Sequence, residues 1–484
     1  MADSLQVLYL SAEVVPFAKT GGLGDVGGSL PKALAALGHD VRVVMPAYRS
    51  IETDYYAGRG GLQALPGGLL VPVRGVGVPA GVYEGRLPGS AVPVYFIAQR
   101  ELFDRENLYG YADDPYRFAF FCRAALELTL ALDWRPDLVH AHDWHSAPAL
   151  TWLATTGQSD DRFRGIASLF TIHNLAHQGR AGADLRGYLG FQSPPLTEEG
   201  SGELNFMARG IYHATLINTV SPTYAREILT PGGGAHLDGL MRYRAYDVHG
   251  ILNGLDTEAW NPATDSRVAA RFNTGSLDAR LANKRALQAR AGLPARDVPL
   301  VAMVSRLDWQ KGLDITGHVI HLLLNEYAGP AQFVVLGSGA PEWEAMFADL
   351  AIYHQDTMAA FLAYDAALAQ LIYAGADIFL MPSRFEPCGL GQMIAMRYGC
   401  VPVVRATGGL ADTVQDAVTG FTFIDYSAGA FWEALQRALY TYNVDPESWR
   451  GLQRTGMQTD FSWERSARGY EQLYEWAQAR VRGH

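Results

Sequence analysis

The chain has 484 residues, of which 49% are hydrophobic and 18% are charged, and its formal net charge is −11. This length predicts two or three domains, and the composition is ordinary for a globular protein with a sizeable core. An acidic chain is a poor match for nucleic acid or an anionic membrane, so we expect neither as a partner.

Composition also bears on the compartment. Three cysteines are too few for a disulfide framework, which favours a reducing compartment. The first residues, Met1 to Ser4, provide no basic segment ahead of an apolar run, so no secretory signal is predicted. No run reaches the roughly 18 apolar residues of a membrane span. We therefore expect a cytoplasmic protein.

The first half of the chain alternates apolar runs typical of buried strands with runs typical of helices. We predict strands at 5–12, 41–45, 137–145, 168–172, 216–220 and 248–252, and helices that end at 37, span 116–132 and 202–213, and start at 221–222. A glycine- and proline-rich stretch at 54–98 is interpreted as sheet extensions and loops near an acceptor site.

A linker near 260–265 precedes a second series of the same kind. We predict strands at 299–304, 332–336, 376–380 and 401–404, and helices at 281–291, 313–327, 342–353, 364–374, 392–398, 430–442 and 463–481. Two such series in tandem predict an α/β protein with two doubly wound sheets. The simplest place for its active site is the cleft between them.

The turn at 381–391, Met-Pro-Ser-Arg-Phe-Glu-Pro-Cys-Gly-Leu-Gly, joins a predicted strand to a predicted helix. Ligands of open α/β sheets bind beyond such strand ends. Two prolines stiffen the turn, and Gly389 permits a close approach of the backbone. Glu386 is its one carboxylate and is well placed to accept hydrogen bonds from sugar hydroxyls. The alternative is that Glu386 caps the following helix.

The glycine-rich segment 19–28 follows the first strand. Gly22, Gly24 and Gly27 have the spacing G-x-G-x-x-G, but they come too late after the strand for a dinucleotide fingerprint. Amides at a helix start beside Lys19 can form an anion-binding nest. The alternative is a mobile surface loop.

Polar side chains also end two other predicted strands. His140, His142 and His145 invite a metal interpretation, but the first two share one face of the strand and no cysteine or glutamate completes a ligand shell. We predict no metal site. Asp143 and Trp144 are better suited to sugar hydroxyls and a sugar face, and we expect a functional role for His173 at the next strand end.

Arg306 and Lys311 lie five residues apart across a strand-to-helix turn. Together with helix-start amides they predict a site for a diphosphate, and 407–409 supplies a second nest. The alternative is a solvated pair with Asp308 or Asp314. The chemistry we infer is group transfer from a sugar diphosphate, with cations stabilising the departing charge without a metal.

Seven segments, in order along nearly the whole chain, resemble bacterial glycogen synthase and plant starch synthase. They are 19–23, 140–145, 170–175, 218–224, 305–312, 382–390 and 407–410. The resemblance implies a GT-B fold of two Rossmann-like domains facing across a deep cleft. It also implies a retaining glucosyltransferase that adds glucose from ADP-glucose to the non-reducing end of an α-1,4-glucan such as glycogen, with no cofactor.

The resemblance further implies domains at 1–254, on the acceptor side, and 255–462, binding the nucleotide sugar, with 463–484 crossing back to the first. It implies catalytic roles for Glu386, His173 and Asp143. Its donor-binding residues are Lys19, Gly21, Gly22, Asn174, Asn253, Arg306, Lys311, Tyr364, Cys388, Gly389, Leu390, Thr407, Gly408 and Gly409. Among these donor-binding residues, Tyr364 is expected to stack on adenine. The resemblance also implies that Trp144 contacts the acceptor glucan. The chain has Gly391 where the family often has threonine, which removes a hydroxyl near the donor, and His177 where it often has tyrosine.

Three alternatives stay open from the sequence. A related GT-B enzyme could use UDP-glucose, since base preference comes from the resemblance only. A nicotinamide oxidoreductase is disfavoured because the glycines come late and Met45-Pro46, not an acidic residue, ends the second strand. A glucan-binding protein without catalysis is disfavoured by the intact charged residues.

Overall fold

The computed structural model describes residues 4–51, 61–190, 194, 196–200, 202–326 and 330–483. Residues 1–3, part of the stretch at 54–98 and the end of the helix predicted at 313–327 lie outside the described residues. The chain divides into two compact units, Met1–Gly254 with Trp463–His484 (unit 1) and Leu255–Ser462 (unit 2). Within the described part, no helix is both long and apolar enough to cross a membrane.

Unit 1 is built on a large sheet whose order is β12-β11-β8-β7-β1-β2-β6-β5-β3, with β4 paired to β5. Its strands, with the separate antiparallel pair β9 and β10, are β1 (Gln6–Leu10), β2 (Asp40–Pro46), β3 (Gln63–Ala64), β4 (Leu69–Val73), β5 (Val76–Arg86), β6 (Pro93–Ala98), β7 (Leu138–His142), β8 (Ala167–Ile172), β9 (Arg180–Gly182), β10 (Glu203–Asn205), β11 (Leu216–Thr219) and β12 (Val248–Gly250). From β12 to β6 all neighbours are parallel, whereas β5 runs antiparallel to β6, β4 and β3.

Helices cover this sheet, and the last helix of the chain is one of them. They are α1 (Gly22–Ala36), α2 (Arg100–Phe103), α3 (Asp114–Ala131), α4 (Asp143–Ala154), α5 (Leu185–Leu189), α6 (Phe206–His213), α7 (Pro222–Glu227), α8 (Asp238–Tyr243) and α17 (Trp463–Arg482), with 3-10 turns at Thr156–Ser159 and Ala245–Asp247. A Cβ at Gly27 would lie 2.4 Å from the Glu13 carbonyl oxygen, so α1 can lie against the loop after β1 only with glycine there.

Helix α17 completes the interior of unit 1 with polar as well as apolar contacts. The Tyr474 hydroxyl lies 2.8 Å from His140 Nδ1, and Asn218 Nδ2 donates to the Tyr470 hydroxyl at 3.0 Å. All four side chains are buried. Because buried polar groups need partners, the Tyr474 hydroxyl satisfies His140 Nδ1, and Tyr470 adds a second acceptor for Asn218 Nδ2, which also donates to Thr171 Oγ1 at 3.3 Å.

Unit 2 contains a sheet with all strands parallel in the order β15-β14-β13-β16-β17-β18. Its strands are β13 (Leu300–Val304), β14 (Gln332–Leu336), β15 (Met358–Phe361), β16 (Ile378–Met381), β17 (Val401–Arg405) and β18 (Phe421–Phe423). Its helices are α9 (Arg280–Arg290), α10 (Leu313–His321), α11 (Pro341–Tyr353), α12 (Ala366–Gly375), α13 (Gly391–Arg397), α14 (Gly408–Thr413), α15 (Ala428–Val444) and α16 (Pro446–Gln458), with 3-10 turns at Leu277–Ala279 and Trp309–Lys311 and a π turn at Leu322–Glu326.

Several predicted elements differ from the structure. The strand predicted to 145 ends at His142, and α4 begins directly afterwards; nearly every residue of α4 is buried, which removes the polar face that marks a surface helix. The helix predicted from 202 begins at Phe206, where the Asn205 side chain caps it by accepting from the Ala208 amide. Strand β15 and helix α16 were not predicted.

A buried ion pair joins α9 to the sheet of unit 2. Lys284 Nζ donates to Asp377 Oδ2 at 2.6 Å and to the Tyr442 hydroxyl at 2.9 Å. The same carboxylate oxygen accepts from the Leu300 amide at 2.9 Å. The lysine and the aspartate are both buried, so neither has water as a substitute partner.

We expect Lys284→Ala to lower the free energy of unfolding of unit 2 by about 3 to 5 kcal/mol, because it leaves Asp377 charged and buried without its partner. Arg290→Ala on the same helix removes a cation that is 55% exposed and 3.9 Å from Asp365, and should cost no more than about 1 kcal/mol. Denaturant unfolding followed by intrinsic fluorescence measures both. Equal losses in the two variants would contradict this interpretation.

Candidate active site

Three turns of unit 2 lie at one edge of its sheet, because β13, β16 and β17 are adjacent and parallel. The turns are 305–312 after β13, 382–390 after β16 and 406–407 after β17. Each leads into a helix, namely α10, α13 and α14. The fold therefore gathers six of the predicted donor-binding residues at one edge of the sheet, namely Arg306, Lys311, Cys388, Gly389, Leu390 and Thr407, and α14 starts there with Gly408 and Gly409.

An ion pair links the first two turns. Lys311 Nζ lies 2.6 Å from Glu386 Oε2, and only 11% of the lysine side chain and 8% of the glutamate side chain are exposed. Ser383 Oγ donates to the same carboxylate oxygen at 3.0 Å. Helix α13 starts at Gly391 with Leu390 as its N-cap, and the recorded partners of the Glu386 carboxylate are Lys311 and Ser383. The structure thus favours a site role for Glu386 over helix capping.

Backbone contacts hold these turns together. The Arg384 amide donates to the Gln310 carbonyl at 2.8 Å, and the Gly409 amide donates to the Glu386 carbonyl at 3.0 Å. Gly408 has φ of +44°, and a Cβ there would lie 2.0 Å from the Glu386 carbonyl oxygen. Only glycine fits this position, because both the dihedral angle and the space exclude a side chain.

The other predicted residues of unit 2 have different surroundings. Arg306 is 61% exposed and pairs with Asp308 at 3.2 Å, which is the alternative partner that the sequence allows. Tyr364 is 85% exposed and lies just before α12. Cys388 is buried, Gly389 has φ of +76°, and Thr407 is the N-cap of α14. The structure therefore brings Lys311, Glu386 and 407–409 together, whereas Arg306 and Tyr364 face solvent.

In unit 1 the predicted residues also follow adjacent parallel strands. The order β12-β11-β8-β7-β1 places the segments after these strands at one edge of the sheet. Asn253 follows β12, His173 and Asn174 follow β8, Asp143 follows β7, and the glycine-rich loop follows β1.

Glu13 organises the glycine-rich loop. Its carboxylate accepts hydrogen bonds from the Thr20 amide at 2.6 Å, the Thr20 hydroxyl at 2.6 Å, the Gly21 amide at 3.1 Å and the Tyr109 hydroxyl at 2.9 Å. Lys19 Nζ lies 2.7 Å from Asp25 Oδ1. Two amides of the predicted anion nest thus already have an anionic partner within the chain.

Asp143 positions the segment after β8. Its Oδ1 accepts from the His173 amide at 2.7 Å and from the Asn174 amide at 3.4 Å. The residue has φ of +55°, which is unusual for a side chain other than glycine and is often found at functional sites. Burial raises the pKa of the Asp143 carboxyl to about 7, although the two backbone amides oppose this shift.

His173 is half-buried and contacts a second histidine. Its Nε2 lies 2.9 Å from Nδ1 of His142, the last residue of β7. Burial lowers the pKa of His173 to about 3, so its ring is neutral at physiological pH.

Trp144 and Asn253 differ in what they can offer a ligand. Trp144 is 9% exposed, and its ring packs on Phe118, His145 and Gly179. Its acceptor contact stays a prediction. Asn253 is buried, and its Oδ1 has no hydrogen-bond partner among the described residues. Such an orphaned acceptor is typical of a ligand site.

The described residues contain no group of three or more histidine, cysteine, aspartate or glutamate side chains suited to a metal ion. His140 contacts Tyr474 and Thr171, His142 contacts His173, and His145 stacks on an indole ring. Each of the three histidines therefore has a hydrogen-bonding or stacking neighbour other than a metal ion.

Comparison with known proteins identifies the family. Residues 6–243 match the family model of the starch synthase catalytic domain, and residues 285–446 match that of glycosyl transferases group 1. The glycogen synthase of Moorella thermoacetica is 46% identical over 98% of this chain and 97% of its own length. Glycogen synthase 1 of Geobacter metallireducens is 46% identical over 97% of this chain and 95% of its own. The chain belongs to the glycogen synthase and starch synthase family.

Solved structures agree with this family. The catalytic domain of starch synthase IV from Arabidopsis thaliana, bound to ADP and acarbose, has a TM-score of 0.89 and 37% identity, covering 99% of this chain and 100% of that one. Sucrose-phosphate synthase from Thermosynechococcus elongatus, at 20% identity and a TM-score of 0.60, shares the fold. The predicted resemblance and the GT-B class, with two parallel-sheet α/β units, are confirmed, and the chain is a glycosyltransferase of this family.

Sequence reasoning missed Glu13 and His142, which contact predicted site residues in the structure. Glu13 stands three residues beyond the end of β1, and a lone carboxylate just ahead of a glycine-rich loop is a signal that could have been used. His142 was considered only as a metal ligand. Its pairing with His173 depends on the register of β7 and β8, in which His142 lies opposite Thr171, and one sequence does not give that register.

The raised pKa of Asp143 predicts a pH dependence. The folded state favours the protonated carboxyl, so the stabilisation is complete below pH 4 and is lost as pH rises through about 7. Asp143→Asn cannot titrate. We therefore expect the Tm of the natural protein, relative to that of the variant, to fall between pH 4.5 and pH 7.5.

Thermal unfolding at several pH values measures this difference, with Asp161→Asn, at a side chain that is 87% exposed, as the control for loss of a surface carboxylate. A constant difference between the natural protein and Asp143→Asn across this range would show that the carboxyl does not titrate there.

Proposed function

We propose that this glycosyltransferase transfers glucose from ADP-glucose to the non-reducing end of an α-1,4-glucan, with retention of configuration and release of ADP. The observation that carries the proposal is the buried Lys311–Glu386 pair at a strand edge surrounded by helix-start turns. Support for the substrates comes from the named relatives, which are glycogen synthases, and from the Arabidopsis enzyme bound to ADP and acarbose.

The chemistry follows from the charges. The bond between the anomeric carbon and the diphosphate breaks, a bond forms to a glucan hydroxyl oxygen, and negative charge develops on the departing diphosphate. We assign Lys311 and Arg306 to this charge, because cations held in place before the reaction stabilise it at little reorganisation cost. Glu386 lies 2.6 Å from Lys311, and we assign its carboxylate to the donor glucose and its developing positive charge.

The remaining roles follow from position. In unit 2 we assign the exposed Tyr364 to adenine, and the turn 388–390 and the start of α14 at 407–409 to the phosphates. In unit 1 we assign Lys19 to the phosphates, and His173, Asn174, Asp143 and Asn253 to the glucose. A Cβ at Gly21 or Gly22 would meet no atom within 4 Å, so both glycines face open space that a ligand can occupy.

The two proposed domains correspond to acceptor binding by residues 1–254 and nucleotide-sugar binding by residues 255–462. We also propose that the enzyme works in the cytoplasm, because its three cysteines are buried and form no disulfide. We assign the exposed part of the Trp144 side chain to the acceptor.

Labelled glucose incorporation into glycogen tests the function directly. We expect incorporation from ADP-glucose to exceed that from UDP-glucose by at least about tenfold, a difference of about 1.4 kcal/mol in transition-state binding. Enzyme without glucan, and glucan without enzyme, are the controls. Faster incorporation from UDP-glucose would establish the alternative donor, and no incorporation from either would refute the proposed function.

We expect Glu386→Gln to lower kcat by roughly 100-fold or more, because the amide cannot supply the charge that the donor sugar requires in the transition state. The Kd for ADP should not rise, since ADP does not contain the glucose and the variant removes the carboxylate charge that competes with the diphosphate for Lys311. Steady-state kinetics and calorimetry measure these values. Arg437→Ala removes an exposed ion pair of unit 2 with Asp416 and should leave both unchanged; normal turnover of Glu386→Gln would exclude a catalytic role.

A further inference from the structure

His142 lies next to His173 but belongs to none of the roles proposed above. It is fully buried at the end of β7, and its Nδ1 is 2.9 Å from His173 Nε2. Its ring also packs against Tyr9, with centroids 4.3 Å apart, and against His140, with centroids 4.1 Å apart. These contacts pack the ring of His142 between two aromatic neighbours, with its Nδ1 directed at His173 Nε2.

The hydrogen bond between the two rings contains a single proton. Burial lowers the pKa of His142 well below its usual value and that of His173 to about 3, so both rings are neutral at physiological pH. A neutral imidazole has one N–H and one lone pair. One ring therefore donates, the other accepts, and each arrangement fixes the tautomers of both.

The far nitrogen of His142 decides which ring donates. His142 Nε2 is buried and has no hydrogen-bond partner in the described part of the chain. If His142 accepted at Nδ1, its proton would be on Nε2 as a buried N–H without an acceptor. Orphaned buried N–H groups are rarer in proteins than under-satisfied acceptors. The arrangement with the proton on Nδ1 leaves only a lone pair unsatisfied.

We propose that His142 is a positioning residue that donates Nδ1–H to His173 Nε2 and so holds His173 in the tautomer with its proton on Nδ1. Among the described residues, His173 Nδ1 has no hydrogen-bond partner, and His173 is half-buried. His173 then offers a ligand a donor and no lone pair. It therefore cannot take the proton of the glucan hydroxyl, which must leave to another group.

The catalytic consequence of this tautomer rests on the proposed function, but the tautomer can be detected whether or not that function is correct. Labelling the histidines of the full chain with ¹⁵N reports which imidazole nitrogen carries the proton, and a His173→Gln sample identifies its signals. We expect His173 protonated on Nδ1 in the natural protein. His142→Asn, whose amide can donate from nearly the same position, should preserve this tautomer, whereas His142→Phe should not. A proton on His173 Nε2 in the natural protein would overturn the proposal.

Kinetics separate positioning from general stability. We expect His142→Phe to lower kcat roughly 10- to 100-fold with little change in the KM for the nucleotide sugar, because an N–H of His173 that points the wrong way disturbs the geometry of the reacting groups. We expect His142→Asn to recover most of this loss. His140→Phe is the matched control. His140 lies on the same strand and face as His142, but its ring nitrogens contact Tyr474 and Thr171. Thermal unfolding confirms that each variant is folded.

The outcomes are distinct. Equal losses of kcat in His142→Phe and His140→Phe would overturn the positioning role, as would no recovery in a folded His142→Asn. If no nucleotide sugar supports transfer at all, the proposed function fails, and the ¹⁵N measurement on the natural protein still decides the tautomer.

Discussion

The close approach of neighbouring turns is the constraint on which the candidate site of unit 2 depends. Parallel strands β13, β16 and β17 end at one edge, and the turns that follow them touch through their backbones. A Cβ at Gly312 would lie 2.2 Å from the Pro382 carbonyl oxygen, and one at Gly408 would lie 2.0 Å from the Glu386 carbonyl oxygen. Because no side chain fits between the turns, Lys311 is held against Glu386. The pair costs desolvation, which good geometry and the added bond from Ser383 offset.

In unit 1 the main constraint is that polar residues of the sheet are buried in the interior and need hydrogen-bond partners. His140 bridges the Tyr474 hydroxyl and the Thr171 hydroxyl, at 2.8 and 2.7 Å. Helix α17 comes from the end of the chain, so unit 1 is complete only when residues far apart in sequence have come together. Beside this group, the ring of His142 makes one hydrogen bond within the described part of the chain, to His173. The arrangement provides rigid support for a neutral ring at the strand edge.

The sequence predicts the elements that have a regular hydrophobic pattern, and it misses contacts that depend on how distant segments pair. Apolar runs such as 300–304 and 332–336 predict buried parallel strands because both faces are covered. The strand-edge location of Glu386 and His173 follows from that pattern alone. Helix α4 was missed because its residues are nearly all buried and show no polar face. The Lys311–Glu386 contact spans 75 residues, and no local pattern contains such a distance. The burial of Trp144 was missed for the same reason, since Gly179 packs on its ring from a separate segment.

One feature is common to both units: each predicted phosphate-binding cation already has a carboxylate. Lys19 lies 2.7 Å from Asp25, Arg306 lies 3.2 Å from Asp308, and Lys311 lies 2.6 Å from an acidic partner. A bound anion must therefore compete with resident carboxylates for these cations. The two exposed pairs are weak in water and are replaced at little cost, whereas the buried lysine keeps its partner unless the ligand supplies comparable charge at comparable distance. A diphosphate carries several negative charges on neighbouring groups and can meet that requirement, while a single carboxylate or a neutral sugar cannot. Under the proposed function, the resident carboxylates thus select for charge at each of these cations.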